Sequence, residues 1–185
     1  MRVRVTLVLG LCLLPVLVAA QTPDASGPEV LGSISVGNLW DDESKIGFGV
    51  TAGAGAGYRW RGRIGIEGRV ERFAHDRTFT SGVHFEATGT RFLGQVSYYW
   101  SDGKAQPFVG GIFGAIKVKQ RNESPIVTGT DVFEGRETDK VWGASGGVRI
   151  RLSDRFALRP EAGLLFSVPN NFVDIRFGVT AAITW

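Results

Sequence analysis

The chain has 185 residues, with 26 glycines, 7 prolines, one cysteine and a formal net charge of +3. That length suits one domain with a full core, and glycine without a Gly-X-Y period, beside so few prolines, excludes a collagen-like or disordered tract. Arg2 and Arg4 belong to a leader whose removal takes the charge from +3 to +1, so the balance argues against a nucleic-acid partner.

Residues 1–20 read as a cleaved export signal: Arg2 and Arg4 form the basic start, "LVLGLCLLPVLV" the apolar run, and Val18-Ala19-Ala20 the small-residue exit. Cys12 lies inside that run behind Leu11, where a lipoprotein signal wants a small residue, so the mature chain carries no thiol and no disulfide. Residues 21–29, "QTPDASGPE", form a flexible lead-in, and 30–185 the folded domain. Beyond the leader no apolar run approaches the roughly 18 residues of a membrane-spanning helix. A membrane passage by this chain has to use strands.

From Val30 onward the hydrophobic pattern alternates with period two. It predicts eight strands: Val30 to Trp40, Ile46 to Tyr58, Arg63 to Phe73, His84 to Trp100, Pro107 to Gln120, Val141 to Leu152, Phe156 to Ser167 and Phe172 to Trp185. Each is long enough to cross a bilayer at a tilt, which takes roughly 9–11 residues. The second, fourth and sixth connections are compact ("RWRG", "SDGKAQ", "SDR"). The first, third and fifth are longer ("DDESK", "AHDRTFTSG" and the segment Arg121 to Lys140), and the seventh is the brief "PNN". That is broadly the outer-membrane pattern of short periplasmic turns and longer outside loops.

Each strand separates into an apolar and a polar face. The apolar set runs through Ile34, Phe48, Ile66, Val70, Phe92, Val96, Phe108, Ile112, Ile116, Val118, Trp142, Leu158, Phe166, Ile175, Phe177 and Val179. The polar set holds Arg63, Glu67, Arg69, Glu71, Arg91, Lys117, Lys119, Arg149, Arg151, Arg159, Glu161, Asp174 and Arg176. Arg72 and Phe113 are the exceptions, each on the wrong face. A soluble ligand-binding barrel would turn the apolar face inward; an outer-membrane barrel inverts it. The export signal, the terminal Trp185 and the aromatics near the connections (Trp40, Trp60, Tyr98, Trp100, Trp142) favour the second. The expected fold is therefore all-β: an eight-stranded antiparallel up-and-down transmembrane β-barrel.

In the second strand the polar face is almost entirely glycine: Gly47, Gly49, Gly53, Gly55 and Gly57, broken by Thr51. Interior glycines weaken a strand, so the row implies that something needs the space. An eight-stranded lumen is only wide enough to be filled by side chains. The glycines are expected to form a bare wall against which the luminal arginines lie.

The luminal set Arg63, Glu67, Arg69, Glu71, Arg91, Arg149, Arg151, Arg159, Glu161, Asp174 and Arg176 is expected to be a structural charge network that plugs the barrel, with an anion-selective passage as the competing reading. His75 and Asp76 on a loop, with His84 and Glu86 beyond it, could be drawn into a metal or acid/base site, but solvated residues are the expectation. Neither His75-Asp76-Arg77 nor His84-Phe85-Glu86 supplies a serine nucleophile, so no catalytic residue, metal or cofactor is expected. The loop 121–140 combines both charge signs with Ile126, Val127, Val132 and Phe133 and could bind a surface ligand. The acidic "DDES" reads as a solvated turn.

The terminal strand, "PFVGGIFGAIKV" (Pro107 to Val118) and "LRPEAGLLF" (Leu158 to Phe166) resemble the small outer-membrane β-barrel superfamily of opacity-type and OmpA-like transmembrane domains. The resemblance implies an outer-membrane location in a diderm bacterium and contact with outer-membrane lipid and lipopolysaccharide. It also implies an assembly signal at Phe177, Val179, Ala181, Ile183 and Trp185 for the barrel-assembly machinery, although Thr180 and Ile183 stand where glycine and an aromatic are usual. It covers 30–185 and leaves no peptidoglycan-binding domain expected after Trp185. Its members are mostly adhesins, anchors and narrow pores, which implies a non-enzymatic envelope-structural or surface-interaction role.

Overall fold

A computed structural model of the chain describes residues 26–40, 45–78, 84–123, 133–168 and 172–185. The leader, the first part of the lead-in and "DDES" lie outside the described residues. The strands are β1 (Gly27–Trp40), β2 (Lys45–Trp60), β3 (Ile64–Thr78), β4 (His84–Tyr99), β5 (Ala105–Glu123), β6 (Phe133–Arg151), β7 (Phe156–Val168) and β8 (Val173–Thr184). Each pairs antiparallel with its neighbours in chain order, and β8 pairs with β1 to close the barrel.

Closure leaves no free edge through the body of the wall. Following the pairing once around from Ile64 through Tyr98, Val109, Gly146, Ala162, Phe177, Val36 and Val50 returns to β3 at Ala74, ten residues further along. This stagger tilts the strands and belongs with the roughly 35–45° tilt of closed barrels.

Local chemistry sets the compact turns. Arg61 (φ 49°) and Gly62 (φ 65°) both adopt left-handed backbone between β2 and β3, and Arg63 N–H donates to the Trp60 carbonyl at 3.1 Å. Two consecutive positive φ angles at the centre of the turn Trp60 to Arg63 match the right-handed twist of the flanking strands. Between β6 and β7 the Ser153 hydroxyl accepts from the Phe156 N–H at 3.1 Å.

Several strands run longer than alternation alone predicts. β1 begins at Gly27 and takes in the end of the lead-in; β5 and β6 continue the ladder to Asn122 opposite Phe133, so much of the segment 121–140 is paired strand. β3 continues through His75 and Asp76, which are wall residues and not loop residues.

Outside and inside are inverted relative to a soluble protein. Ile34 (59 % exposed), Ile66, Phe177 (60 %) and Trp185 stand outward, while Arg59, Arg69, Arg91 and Arg159 are buried. A continuous apolar outer wall around a charged interior suits lipid and not water, which excludes the soluble ligand-binding alternative. The residues expected to carry the assembly signal, Phe177, Val179, Ala181, Ile183 and Trp185, share this outer face.

One strand is turned over relative to the sequence reading. Phe108, Ile112, Ile116 and Val118 of β5 point inward at no more than 4 % exposure, whereas Phe113, Lys117 and Lys119 are exposed. Ile112, Ile116 and Val118 join Leu39, Phe73, Leu93, Val141, Leu165 and Phe172 in an apolar cluster mainly at the long-connection end of the lumen, whereas Phe108 packs against the Tyr99 ring at 5.4 Å. Phe113 is thus an ordinary lipid-facing aromatic, and its ring lies over outward-facing Gly94.

The glycine row of β2 is overlain by side chains of β3. A Cβ on Gly53 would meet Glu71 Cγ at 2.7 Å, one on Gly55 would meet Arg69 Cγ at 2.8 Å, and one on Gly57 would meet Glu67 Cβ at 2.9 Å. At Gly55 the Gly68 carbonyl is closer still, so the obstruction is backbone as well as flexible side chain. Gly55→Leu is expected to destabilise the barrel by about 1–3 kcal/mol or more through overpacking. Urea titration of the membrane-reconstituted protein checks this, and an unchanged midpoint would mean that the row does not serve as packing space.

Candidate functional site

The charged side chains of the lumen fall into three layers. At the compact-turn end, Arg149 Nη2 donates to Glu29 Oε1 at 2.6 Å, and Thr184 Oγ1 donates to the same oxygen at 3.0 Å. Arg59 Nη2 donates to Gln106 Oε1 at 3.0 Å, and its guanidinium lies 4.7 Å from the centre of the Tyr99 ring. Arg59 thereby gains a cation–π contact in a site shielded from water.

The middle layer has the most regular geometry. Arg159 holds Glu67 with a two-pronged fork, Nη1 to Oε2 and Nη2 to Oε1, both at 2.8 Å. Its Nε lies 3.0 Å from Glu161 Oε2. Arg69 Nη1 donates to Glu161 Oε1 at 2.8 Å, its Nη2 lies 3.1 Å from Glu67 Oε1, and it also donates to Gln95. The Gln95 amide donates onward to Ser97 Oγ at 2.8 Å. Two arginines and two glutamates are thus cross-linked, with β3 and β7 on opposite walls tied through side chains. Bidentate charge-assisted bonds of this kind are the strong and geometrically selective ones.

Above it, Arg176 Nη1 donates to Glu71 Oε2 at 2.5 Å, and Arg91 Nη2 lies 2.6 Å from Asp174 Oδ2. The Arg91 guanidinium sits 4.4 Å from the centre of the Phe73 ring, where the apolar cluster begins. His75 is buried edge-on to that same ring at 5.5 Å.

Most of the network's charges are paired. Its buried arginines are Arg59, Arg69, Arg91, Arg149, Arg159 and Arg176, and the carboxylates facing the lumen are Glu29, Glu67, Glu71, Asp139, Glu161 and Asp174. Among the described residues these arginines pair with Glu29, Glu67, Glu71, Glu161 and Asp174, while Arg77, with a buried Nη1, and Arg151 also lie on the inward face, so a small excess of basic groups remains. Nine of the eleven expected luminal residues are in this network. Arg63 is not: it is 54 % exposed in the turn before β3 and pairs with Asp102 at 3.2 Å, a hydrogen bond that raises its pKa above the ordinary guanidinium value. Arg151 is also outside it, at the end of β6, where it donates to the carbonyls of Asp102 and Gly103.

Sequence reasoning did not place Glu29, Arg59, Gln106 or Asp139 in the lumen, and it read His75 as a solvated loop residue where the structure buries it. The signal was parity: Arg59 continues the glycine row two residues past Gly57, and Glu29 precedes the inward Leu31 by two. Both lay just beyond the strand ends drawn from hydrophobicity alone. Elsewhere, Asp76 and Glu86 face each other across β3 and β4 on the outer wall. Among the described residues no three histidine, cysteine or carboxylate side chains converge as metal ligands.

The family described as outer membrane protein beta-barrel domain matches residues 6–177. This chain belongs to that family. No curated protein matches the sequence. Among solved outer membrane protein beta-barrels, Neisserial surface protein A (NspA) aligns with a TM-score of 0.63 at 12 % identity, covering 86 % of this chain and 98 % of that one. Ail, the attachment invasion locus protein of Yersinia pestis, solved in complex with the heparin analogue sucrose octasulfate, aligns with a TM-score of 0.59 at 9 % identity, over 86 % and 99 %. OprG from Pseudomonas aeruginosa aligns with a TM-score of 0.52 at 12 % identity, over 90 % and 100 %. At these identities the likeness is one of fold. An outer membrane protein beta-barrel domain belongs in the outer membrane, and the apolar outer wall of this chain suits that placement.

Proposed function

We propose that this outer-membrane barrel is non-enzymatic, that its lumen is plugged, and that its role is envelope-structural or surface-interacting. The observation that carries the reading is the network of buried arginines and carboxylates cross-linked across the lumen, backed by the apolar cluster at the long-connection end. The luminal charges are held by one another in ion pairs, and an eight-stranded lumen has little room beside its side chains.

In this reading the leader is cleaved after residue 20 and the assembly machinery reads the outward face of β8. The compact turns face the periplasm, and outer-membrane lipid and lipopolysaccharide surround the wall. A surface ligand is met by the segment 121–140. Support for the last point is the height of the β5–β6 ladder, which continues to Asn122 opposite Phe133 although the β6–β7 pairing stops at Lys140 opposite Val168.

Planar-bilayer recording of the purified protein tests the plug. No unitary conductance above the bare bilayer is expected, whereas sustained open-channel steps would reverse the reading in favour of a small pore. Running the same preparation boiled and unboiled in SDS shows that the barrel was folded when tested.

A further inference from the structure

On the outer wall of β3 to β6 the chemistry changes abruptly from one rung of the ladder to the next. Phe113 pairs with Trp142, and both are exposed and apolar. One rung on, Phe92, Ala115 and Lys140 stand side by side; the next joins Arg72, Thr90, Lys117 and Thr138; the next brings Thr88 against Lys119. Arg72, Lys117, Lys119 and Lys140 are all exposed. None of the four makes an ion pair among the described residues, and no described outward-facing carboxylate occurs in these rungs. The first is the Asp76 and Glu86 pair, one rung beyond Lys119. The compact-turn end differs: there Arg63 is paired with Asp102, and Arg61, Lys104, Asp154 and Arg155 mix both signs.

We propose that Arg72, Lys117, Lys119 and Lys140 cradle the phosphate-bearing headgroup of an outer-leaflet glycolipid of the lipid A type, with Thr90 and Thr138 offering hydroxyls to it. The inference deepens the membrane placement of the proposed function and rests on it. On β4 to β6 the patch follows the last described lipid-facing aromatics, Phe92, Phe113 and Trp142, toward the long-connection end, where outer-leaflet phosphates lie. Unpaired lysine and arginine side chains there extend their polar ends toward the interface while their stems cover apolar wall. The absence of neighbouring carboxylates leaves the positive field uncancelled, and a compact doubly phosphorylated headgroup complements it in charge.

The test uses the full chain expressed in a diderm host, purified from outer membranes in mild detergent and checked for a fast-migrating unboiled band. Binding of diphosphoryl lipid A and of its dephosphorylated form is followed by native mass spectrometry. Wild type is expected to prefer the diphosphoryl form. The triple variant Lys117→Gln, Lys119→Gln, Lys140→Gln should bind it about a hundredfold more weakly, following the attraction lost with three charges near a surface. The corresponding arginine triple should retain binding, and Arg61→Gln with Lys104→Gln at the other end should leave it unchanged. If the glutamine triple gives no compact band, Lys117→Gln with Lys140→Gln is read in its place. Equal binding by wild type and the glutamine variant, or an equal loss in the Arg61 and Lys104 variant, would overturn the proposal. So would a folded wild type that binds sucrose octasulfate but not lipid A, which would assign the patch to a soluble polyanion and leave the barrel reading standing. A wild type with no heat-shifted band would overturn the barrel reading and this inference with it.

Discussion

Replacing Glu67 by glutamine is expected to destabilise the folded barrel by about 3–5 kcal/mol, the cost of leaving buried charges without their partner. Glu67 accepts both prongs of the Arg159 fork at 2.8 Å and lies 3.1 Å from Arg69. The amide keeps the shape and removes the charge, so Arg159 would be left with Glu161, which Arg69 already engages at 2.8 Å, while Arg69 keeps Glu71 at 3.7 Å. Urea titration in lipid vesicles, read by tryptophan fluorescence, measures the effect. Replacing Glu67 and Arg159 together by methionine should recover most of the loss, since it removes both members of the pair. A single variant within about 0.5 kcal/mol of wild type, the usual effect of a change away from any critical contact, would mean that water or another group satisfies Arg159. The middle layer would then not hold β3 to β7.

The second large effect concerns the outer wall. Ile34 stands outward near the middle of β1, between Ala52 and Val179, and is 59 % exposed. Ile34→Arg is expected to cost about 2–4 kcal/mol, the depth-dependent cost of a guanidinium at the bilayer midplane. The same substitution at Ile64, the first residue of β3 beside the compact turn, should cost only about 0–1 kcal/mol because the side chain reaches the interface. The comparison depends on depth, not on charge alone. Equal costs at the two positions would show that Ile34 does not face hydrocarbon, and the assignment of the outer wall would fail.

Both expectations use faces that were largely legible in the sequence. Alternation placed Glu67, Arg69 and Glu71 on one side of β3 and Ile66 and Val70 on the other, and the structure has them inside and outside in that arrangement. The charges of β3, β4, β6, β7 and β8 could be sorted because a strand presents every second residue to the same surface. Strand ends were less legible. Glu29 carries the right parity but precedes the first apolar residue of its run, and Arg59 lies between outward Tyr58 and Trp60 in a segment that reads as the compact connection "RWRG". Arg63 failed in the opposite sense: its parity suits β3, but the tight turn at Arg61 and Gly62 places it before the first ladder residue and turns it to Asp102.

Read alone, the sequence determined the eight strands, the closed antiparallel class, the glycine row and most of the charges that meet inside, because period two and its interruptions are local properties of the chain. Only the tertiary structure decided which face of β5 is inside. Both of its faces are apolar through the membrane, Phe108 and Ile112 on one and Val109 and Phe113 on the other, so alternation separates them without saying which one lipid touches. Register against β4 and β6 settles it, with Gly94 and Trp142 opposite Phe113 and Gln95 opposite Ile112. The partners of each arginine were decided in the same way. Arg159 and Glu67 are separated by 92 positions in the chain and meet only because closing the barrel brings β7 across from β3.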